Sequence, residues 1–221
     1  MNKLFFASAA LVLAASTQAA TVKQAGIMSD YLFRGISQTN HDIGVYVKAT
    51  NTNKNAYSSI RFININASEE AEGVPVEMDV NFGYNMQFDD FNIDLEVITY
   101  NYLVDTRSDE TEFKIGTSLN NVLDINLYRG IKRNTWYPEL VLEKYLSNRL
   151  YLDASAGVWL KDDVDDIGIT GHVELGRDFP ELYGIDIYVG ASAISDSTPF
   201  GGEYDQDEED INYLFGLRKN F

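Results

Sequence analysis

The sequence contains no cysteine and only four prolines and two histidines among its 221 residues. Without cysteine the chain has no disulfide, no thiolate metal site and no thiol nucleophile. Basic residues are also scarce, because 17 Lys and Arg stand against 34 Asp and Glu and give a formal net charge of −17. Nucleic-acid binding relies on clustered basic residues, so nucleic acid is not an expected partner.

Long apolar runs are absent after the first 20 residues, so no transmembrane helix is predicted. The N-terminus has the three parts of a secretory signal. Lys3 supplies the positive charge, residues 4–15 form a short apolar run, and Thr17 and Ala19 place small residues at a cleavage site. We predict a signal peptide over residues 1–19, cleaved after Ala19, and a single domain over residues 20–221.

Alternation of apolar and polar residues with a period of two runs through most of the remaining chain. The clearest case spans Val76–Gln87, where every second residue is apolar without an error. A helix would scatter these apolar residues around its circumference, whereas a strand collects them on one face. With this segment, twelve strands are predicted, the others being near 22–33, 42–50, 56–65, 91–101, 111–119, 122–130, 135–145, 149–160, 166–177, 183–194 and 210–221.

The connections between these strands alternate in length. Short connections are predicted at 51–55, 89–90, 120–121, 147–148 and 180–182, and longer ones at 35–42, 67–74, 105–110, 161–166 and 195–209, with 132–134 as a brief exception. Long loops at one end and short turns at the other are typical of transmembrane barrels. We therefore predict an all-β fold, a transmembrane antiparallel up-and-down β-barrel of about 12 strands, in the outer membrane of a Gram-negative bacterium.

Several predicted strands reach 10–12 residues, which disfavours the main alternative, a soluble β-sandwich built from shorter strands. An even strand number places both ends of the barrel chain on the short-turn, periplasmic side. The final strand also ends on an aromatic residue, as the last strands of outer-membrane proteins do. We expect the barrel assembly machinery to read its outward face, which consists of Tyr213, Phe215, Leu217 and Phe221, with Lys219 departing from the pattern.

Residues 29–39 read S-D-Y-L-F-R-G-I-S-Q-T. This segment resembles the opening motif of the TorF family of porin-like outer-membrane proteins. The next strand departs from the family pattern at Lys48 and Ala49, and beyond residue 65 the resemblance is one of size and pattern. The resemblance implies an outer-membrane barrel that acts as a channel, without naming a solute. By their alternation, Tyr31 and Phe33 are expected to face lipid as interfacial aromatics, and Arg34 to pair with carboxylates of the loops or of lipopolysaccharide.

The face opposite the apolar one carries more acids than bases. We predict that the pore is lined by Glu77, Asp79, Asp94, Glu96, Asp153, Glu174, Asp186, Arg61 and Lys114. An acidic wall favours cations. Glycines on the same face are expected to leave space, whereas four inward tyrosines would narrow the bore; these are Tyr46, Tyr57, Tyr151 and Tyr188.

No catalytic motif, metal site or cofactor site is predicted, and we expect a non-enzymatic protein. His172 is interpreted as a hydrogen-bonded residue of the polar face rather than a catalytic base. The expected partners are outer-membrane lipids and lipopolysaccharide, the barrel assembly machinery and small solutes. Two alternatives to a channel remain open: a closed structural or adhesive barrel that acts through acidic extracellular loops, and an enzyme that acts on lipid at the outer rim.

Overall fold

The computed structural model describes residues 20–66, 75–89, 91–103, 109–120, 122–147, 149–200 and 211–221. The predicted signal peptide and the loop predicted at 67–74 lie outside these residues. Within the described ranges, no helix is long and apolar enough to cross a membrane.

The described chain is almost entirely β-structure. Its strands are β1 (Ala20–Met28), β2 (Leu32–Phe33), β3 (Ile36–Ser37), β4 (Gly44–Asn53), β5 (Ala56–Asn64), β6 (Val76–Gln87), β7 (Asn92–Leu103), β8 (Glu110–Leu119), β9 (Leu123–Gly130), β10 (Thr135–Ser147), β11 (Leu150–Lys161), β12 (Val164–Phe179), β13 (Ile185–Ile194) and β14 (Asn212–Asn220). Short 3-10 turns occupy Pro180–Leu182 and Thr198–Phe200.

Strands β1 and β4 to β14 form one closed antiparallel barrel in chain order, and β1 pairs with β14 to complete the circle. Ile27 lies opposite Leu217 at this closing seam. Closure leaves no unpaired strand edge, which is how barrels avoid edge-to-edge association. The prediction of a twelve-strand, up-and-down barrel is confirmed.

The wall separates an apolar outer surface from a polar interior. On β6, Phe82 and Tyr84 point outward and remain 38% and 49% exposed, whereas Glu77 and Asp79, one position out of phase, are 2% and 5% exposed. The same alternation on other strands leaves further large apolar side chains exposed, among them Val45, Val47, Leu95, Phe113, Ile115, Ile125, Leu127, Leu140, Ile167, Ile169, Val173, Leu175, Val189 and Phe215. The outer surface is therefore apolar around the whole barrel.

The two ends of the barrel differ in their connections. At one end, called the turn side, the connections are residues 54–55, 88–91, 120–122, 148–149 and 180–184, and β1 begins and β14 ends there. At the other end, called the loop side, the connections are residues 29–43, 65–75, 104–109, 131–134, 162–163 and 195–211. The predicted alternation thus holds in most places.

One predicted long loop is wrong. The connection predicted at 161–166 is only the two-residue turn of Asp162 and Asp163, because β11 continues through Lys161 and β12 begins at Val164. Asp163 takes a positive φ of 67°, which a tight turn between twisted strands requires. The run of aspartates suggested a solvated loop, but Asp165 and Asp166 belong to the strand.

Candidate functional site

The chain between β1 and β4 does not stay on the barrel surface. These residues, 29–43, are called the inner segment, and they turn into the barrel at the loop side. Ile36 is fully buried and Tyr31 is 5% exposed. The expectation that Tyr31 and Phe33 face lipid is wrong, because β1 ends at Met28 and the chain leaves the wall before the alternation reaches them.

A small hairpin gives the inner segment its shape. Strands β2 and β3 pair, with Phe33 opposite Ile36, and the turn between them consists of Arg34 and Gly35. Both turn residues have positive φ, 48° and 92°, as two-residue hairpin turns need. A side chain at Gly35 would also bring its Cβ within 2.7 Å of the carbonyl oxygen of Ala193 on β13. Glycine therefore lets the hairpin tip touch the opposite wall.

Asp30 holds the two ends of this hairpin together. Its Oδ1 accepts hydrogen bonds from Ser37 Oγ at 2.6 Å and Thr39 Oγ1 at 2.8 Å, and its Oδ2 lies 3.0 Å from His41 Nδ1. The backbone N–H of Tyr31 donates to Thr39 Oγ1 at 3.0 Å. The polar residues of the sequence motif thus serve one another, which keeps a buried loop free of unsatisfied polar groups.

Arg34 at the hairpin tip is clamped inside the barrel. Its Nη1 and Nη2 donate to the two carboxylate oxygens of Glu112 on β8 at 2.8 and 3.0 Å. Four aromatic rings also surround its guanidinium at 4.1–4.9 Å, and these belong to Phe33, Tyr128, Tyr137 and Trp159. A bidentate pair with stacking rings is the strongest arrangement available to arginine. Arg34 therefore does not reach the loop carboxylates that the sequence suggested.

Glu112 also keeps the Arg34 guanidinium of the inner segment charged. Burial by itself lowers the pKa of Arg34, but the adjacent Glu112 carboxylate and tyrosines more than offset this and raise it above its ordinary value. The guanidinium therefore stays charged, and its buried carboxylate partner is needed to balance it.

Tyr31 makes the second anchor. Its hydroxyl donates to Glu77 Oε1 at 3.0 Å and accepts from Arg61 Nη2 at 2.5 Å. Arg61 in turn donates through Nε to Asp79 Oδ2 at 2.6 Å. Burial raises the pKa of Tyr31 well above its ordinary value, so the hydroxyl stays protonated and remains a donor. Two predicted acids and one predicted base of the lining are thus joined to the inner segment.

A second group of predicted lining residues meets on β7 and β8. Lys114 Nζ lies 3.1 Å from Asp94 Oδ2 and 3.4 Å from Glu96 Oε2. Tyr57 Oη donates to Asp94 at 2.9 Å. All three charged side chains are less than one-fifth exposed, and they point into the barrel.

A third group contains a base that the sequence analysis missed. Arg218 on β14 lies 2.8 Å from Glu174 Oε1 and 3.4 Å from Asp186 Oδ2, and it also donates to the Tyr151 hydroxyl. The predicted lining does not include Arg218, although its even position in β14 places it on the inward face. The parity of the final strand could have revealed it.

The structure therefore brings together eight of the nine predicted lining residues in three groups, each with one base and two acids. With every acid and base counted as ionised, each group has a formal net charge of −1. The ninth residue, Asp153 on β11, lies opposite Glu143 and Glu174 in the sheet register, and no base among the described residues lies within 4.0 Å of its carboxylate. The described lining remains acidic after all pairs are counted.

The glycines on the inward face do not leave open space, contrary to expectation. A Cβ added at Gly176 would lie 2.0 Å from the hydroxyl oxygen of Tyr151, and at Gly83 it would lie 2.0 Å from Tyr57 Cζ. Gly26 and Gly216 meet Tyr46 and Tyr188 in the same way. Each tyrosine ring lies over a glycine of the neighbouring strand. The rings therefore cover the wall instead of projecting across the bore.

Two cavities remain beside the inner segment. The larger, about 410 Å³, is lined by residues that include Phe33, Lys48, Arg61, Asp79 and Arg218. The smaller, about 190 Å³, is lined by residues that include Arg34, Tyr137, Glu139 and Thr170. Both are polar and charged, which suits water and small polar solutes.

The structure places the predicted assembly residues on the outer face. Tyr213, Phe215 and Phe221 are 77%, 49% and 71% exposed, and Leu217 is partly exposed. No group of three or more potential metal-ligating side chains occurs in the part of the chain that the structure describes.

These features define a closed twelve-strand β-barrel with an apolar outer surface, an acidic interior and a loop folded into its lumen. The chain belongs to the family described as "Bacterial protein of unknown function (Gcw_chp)", whose family model matches residues 13–218. Sequence comparison with curated proteins finds no match.

The fold is also that of solved porin structures. KdgM porin, and KdgM porin in complex with disordered oligogalacturonate, are similar with TM-scores of 0.56 and 0.57. Each alignment covers 91% of this chain and 99% of the KdgM chain, at 10% sequence identity. At this identity the similarity concerns the fold.

Proposed function

We propose that this protein is an outer-membrane channel for small solutes, exported by the signal peptide at residues 1–19 and cleaved after Ala19. The observation that carries the proposal is the inverted surface of the barrel. Large apolar side chains cover the outside, and carboxylates such as Glu77 and Asp79 lie inside. A soluble protein rarely exposes such a continuous apolar surface, whereas a barrel in lipid requires one.

The orientation follows from the connections. The turn side is periplasmic and the loop side is extracellular, as in bacterial outer-membrane barrels. The barrel assembly machinery recognises the outward residues of β14, and lipopolysaccharide surrounds the loop side. Membership of the TorF family is part of the proposal, and its support is the motif at residues 29–39, which forms the inner segment.

The proposed channel prefers cations. Each of the three charged groups of the lining carries a net negative charge, and Asp153 adds another. Carboxylates in a confined, low-dielectric space raise the local concentration of cations. Oligogalacturonate, the ligand in a KdgM complex, is a polyanion. The acidic lining here therefore disfavours a ligand of that kind.

The inner segment supports one alternative, a closed structural or adhesive barrel. It crosses the lumen from Glu77 and Glu112 on one wall to Ala193 on another. We propose that it narrows the channel and does not seal it, since the two cavities flank it. Catalysis is not part of the proposal: no hydrogen bond joins His172 to Ser155 or Ser192, its neighbours in the sheet register.

Conductance in planar bilayers tests the proposal. The purified, refolded protein should give small discrete current steps in KCl, and a salt gradient should give a reversal potential of the sign that cation flow produces. An anion-selective pore would overturn the cation preference alone. The closed barrel would be established instead if the folded parent protein carried no current and a variant that lacks the inner segment's anchors carried none either.

A further inference from the structure

The outer surface of strands β6 to β10 carries an unusual row of side chains. In the sheet register Phe82 lies opposite Val97, Val97 opposite Phe113, Phe113 opposite Arg129, and Arg129 opposite Trp136. A row of five strands at about 4.8 Å spacing is about 19 Å long. The row contains large aromatic residues with a small valine between two of them, which leaves a notch.

A second row runs beside the first. It consists of Tyr84, Leu95, Ile115 and Leu127, which are also opposite one another in the register. The two rows enclose a groove of about 580 Å³ on the outside of the barrel, larger than either cavity of the lumen. The side chains of the two rows are apolar except at one end, and most of them are well exposed, with Val97 half-buried.

That end carries a positive charge at the loop side. Arg129 lies one residue before the end of β9, and its guanidinium lies 4.8 Å from the centre of the Trp136 ring. Its guanidinium donates to Asp162 Oδ2 at 2.8 Å, to Asn134 Oδ1 at 3.3 Å and to the Thr135 carbonyl at 3.5 Å. Asp162, its one charged partner within the described residues, is 49% exposed and lies in the turn at the same rim. A surface pair of this kind contributes little, so a stronger anion can replace the carboxylate.

We propose that this groove binds an acyl chain of lipid A, with a lipid A phosphate on Arg129. The inference rests on the proposed outer-membrane location and on the loop side being extracellular. The groove begins at the rim, where Arg129 and Trp136 stand at the height of headgroups, and descends to Phe82 near the middle of β6. Acylated lipids have the same order of parts, an anionic headgroup followed by an apolar chain.

The chemistry selects this occupant over others. A water-soluble solute would gain nothing from an apolar groove on the outer face. A phospholipid acyl chain would fit the apolar rows, but the extracellular leaflet faces Arg129, and phosphorylated lipid A is the anionic lipid of that leaflet. Guanidinium and phosphate form bidentate, charge-assisted hydrogen bonds.

Native mass spectrometry of the detergent-solubilised protein with purified lipid A tests the proposal. Arg129→Gln should weaken lipid A retention about tenfold, the loss expected for one charge-assisted contact. Arg177→Gln is the matched control, because Arg177 also faces outward beside an aromatic ring, 4.9 Å from Phe179, but at the turn side. It should bind lipid A as the parent protein does.

A second variant tests the groove itself. Val97→Trp fills the notch between Phe82 and Phe113 on the exposed face, where a larger side chain does not disturb the interior. It should also reduce lipid A retention. The proposal would be overturned if Arg129→Gln and Val97→Trp both retained as much lipid A as the parent protein. It would also be overturned if Arg177→Gln lost as much lipid A as Arg129→Gln, or if phosphatidylglycerol competed for the protein as well as lipid A does.

The outcome is separable from that of the channel proposal. Lipid retention is measured in detergent and needs no current, and conductance is measured in phosphatidylcholine bilayers that contain no lipid A. A barrel that binds lipid A but carries no current would refute only the channel. A conducting barrel whose variants all retain lipid A equally would refute only the lipid site.

Discussion

The loop-side and turn-side halves of the lumen use the same kinds of residue for different purposes. At the loop side, Arg34 and Glu112 have side chains only 8% and 4% exposed, and aromatic rings surround the pair. Toward the turn side, Arg218 and Asp186 are 23% and 19% exposed and belong to the wall. A dry pair fixes a piece of chain in place, whereas a wet pair leaves charge available to a passing ion.

The anchors of the two halves also differ in origin. The loop-side base comes from the inner segment, so its contacts can be broken without opening the barrel. The turn-side base comes from β14, whose ladder closes the barrel. For the proposed channel, we therefore expect the loop-side half to control closure and the turn-side half to contribute to selectivity.

The largest effect is expected from Arg34→Ala. Glu112 would keep a buried charge without a charged partner, which costs about 3–5 kcal/mol, and the inner segment would lose one of its two anchors, the other being Tyr31. Single-channel conductance should rise severalfold. Arg218→Ala is the control from the other half, and it should change selectivity more than conductance. Unchanged conductance in Arg34→Ala would show that the Arg34 anchor does not control the constriction.

A smaller effect is expected where a tyrosine covers a glycine. Gly176→Ala would place a Cβ 2.0 Å from the Tyr151 hydroxyl oxygen and should lower the free energy of unfolding by about 1–3 kcal/mol. Gly171→Ala, on the same strand, is the control because nothing lies within 4 Å of its added Cβ. Heat-modifiable gel mobility measures both. Equal stability of the two variants would contradict the tight seating of the ring.

Changing the charge of the wall should shift the ion selectivity. The double variant Asp94→Asn with Glu96→Gln leaves Lys114 unpaired and removes two negative charges, so the reversal potential should move toward zero. Lys114→Gln should move it the opposite way. If both variants shift it in the same direction, the group at β7 and β8 does not set the selectivity.

The smallest effect is expected from salt. The Debye length falls from about 10 Å at 0.1 M to about 3 Å at 1 M, so cation preference should weaken in concentrated KCl. The closure by Arg34 and Glu112 should respond little, because both side chains are less than one-tenth exposed. If the single-channel conductance rose more steeply than the KCl concentration, screening by salt would be releasing the inner segment.

Most of the barrel could be predicted from the alternation of apolar and polar residues within single strands. The predicted strand at 76–87 coincides with β6, and most other strands differ from their predictions by a few residues. Parity then placed acids such as Glu77 and Asp94 on the inward face. The face of each residue can be read from its own strand, because successive side chains of a strand point to opposite faces. A shift by one residue would turn every side chain to the wrong face, so the apolar pattern fixes the register.

Sequence by itself therefore determined the number of barrel strands, their order and the face that each residue of the wall presents. Tertiary structure alone decided the path of the inner segment and the choice of partners within the lumen. Arg34 meets Glu112 across 78 residues of chain, and Tyr31 meets Glu77 across 46. No period in the sequence encodes such pairs, because they depend on which strands face each other once the barrel has closed. Only the path of the inner segment, which leaves the wall after Met28, turns Tyr31 and Phe33, which local pattern assigns to lipid, into lumen residues.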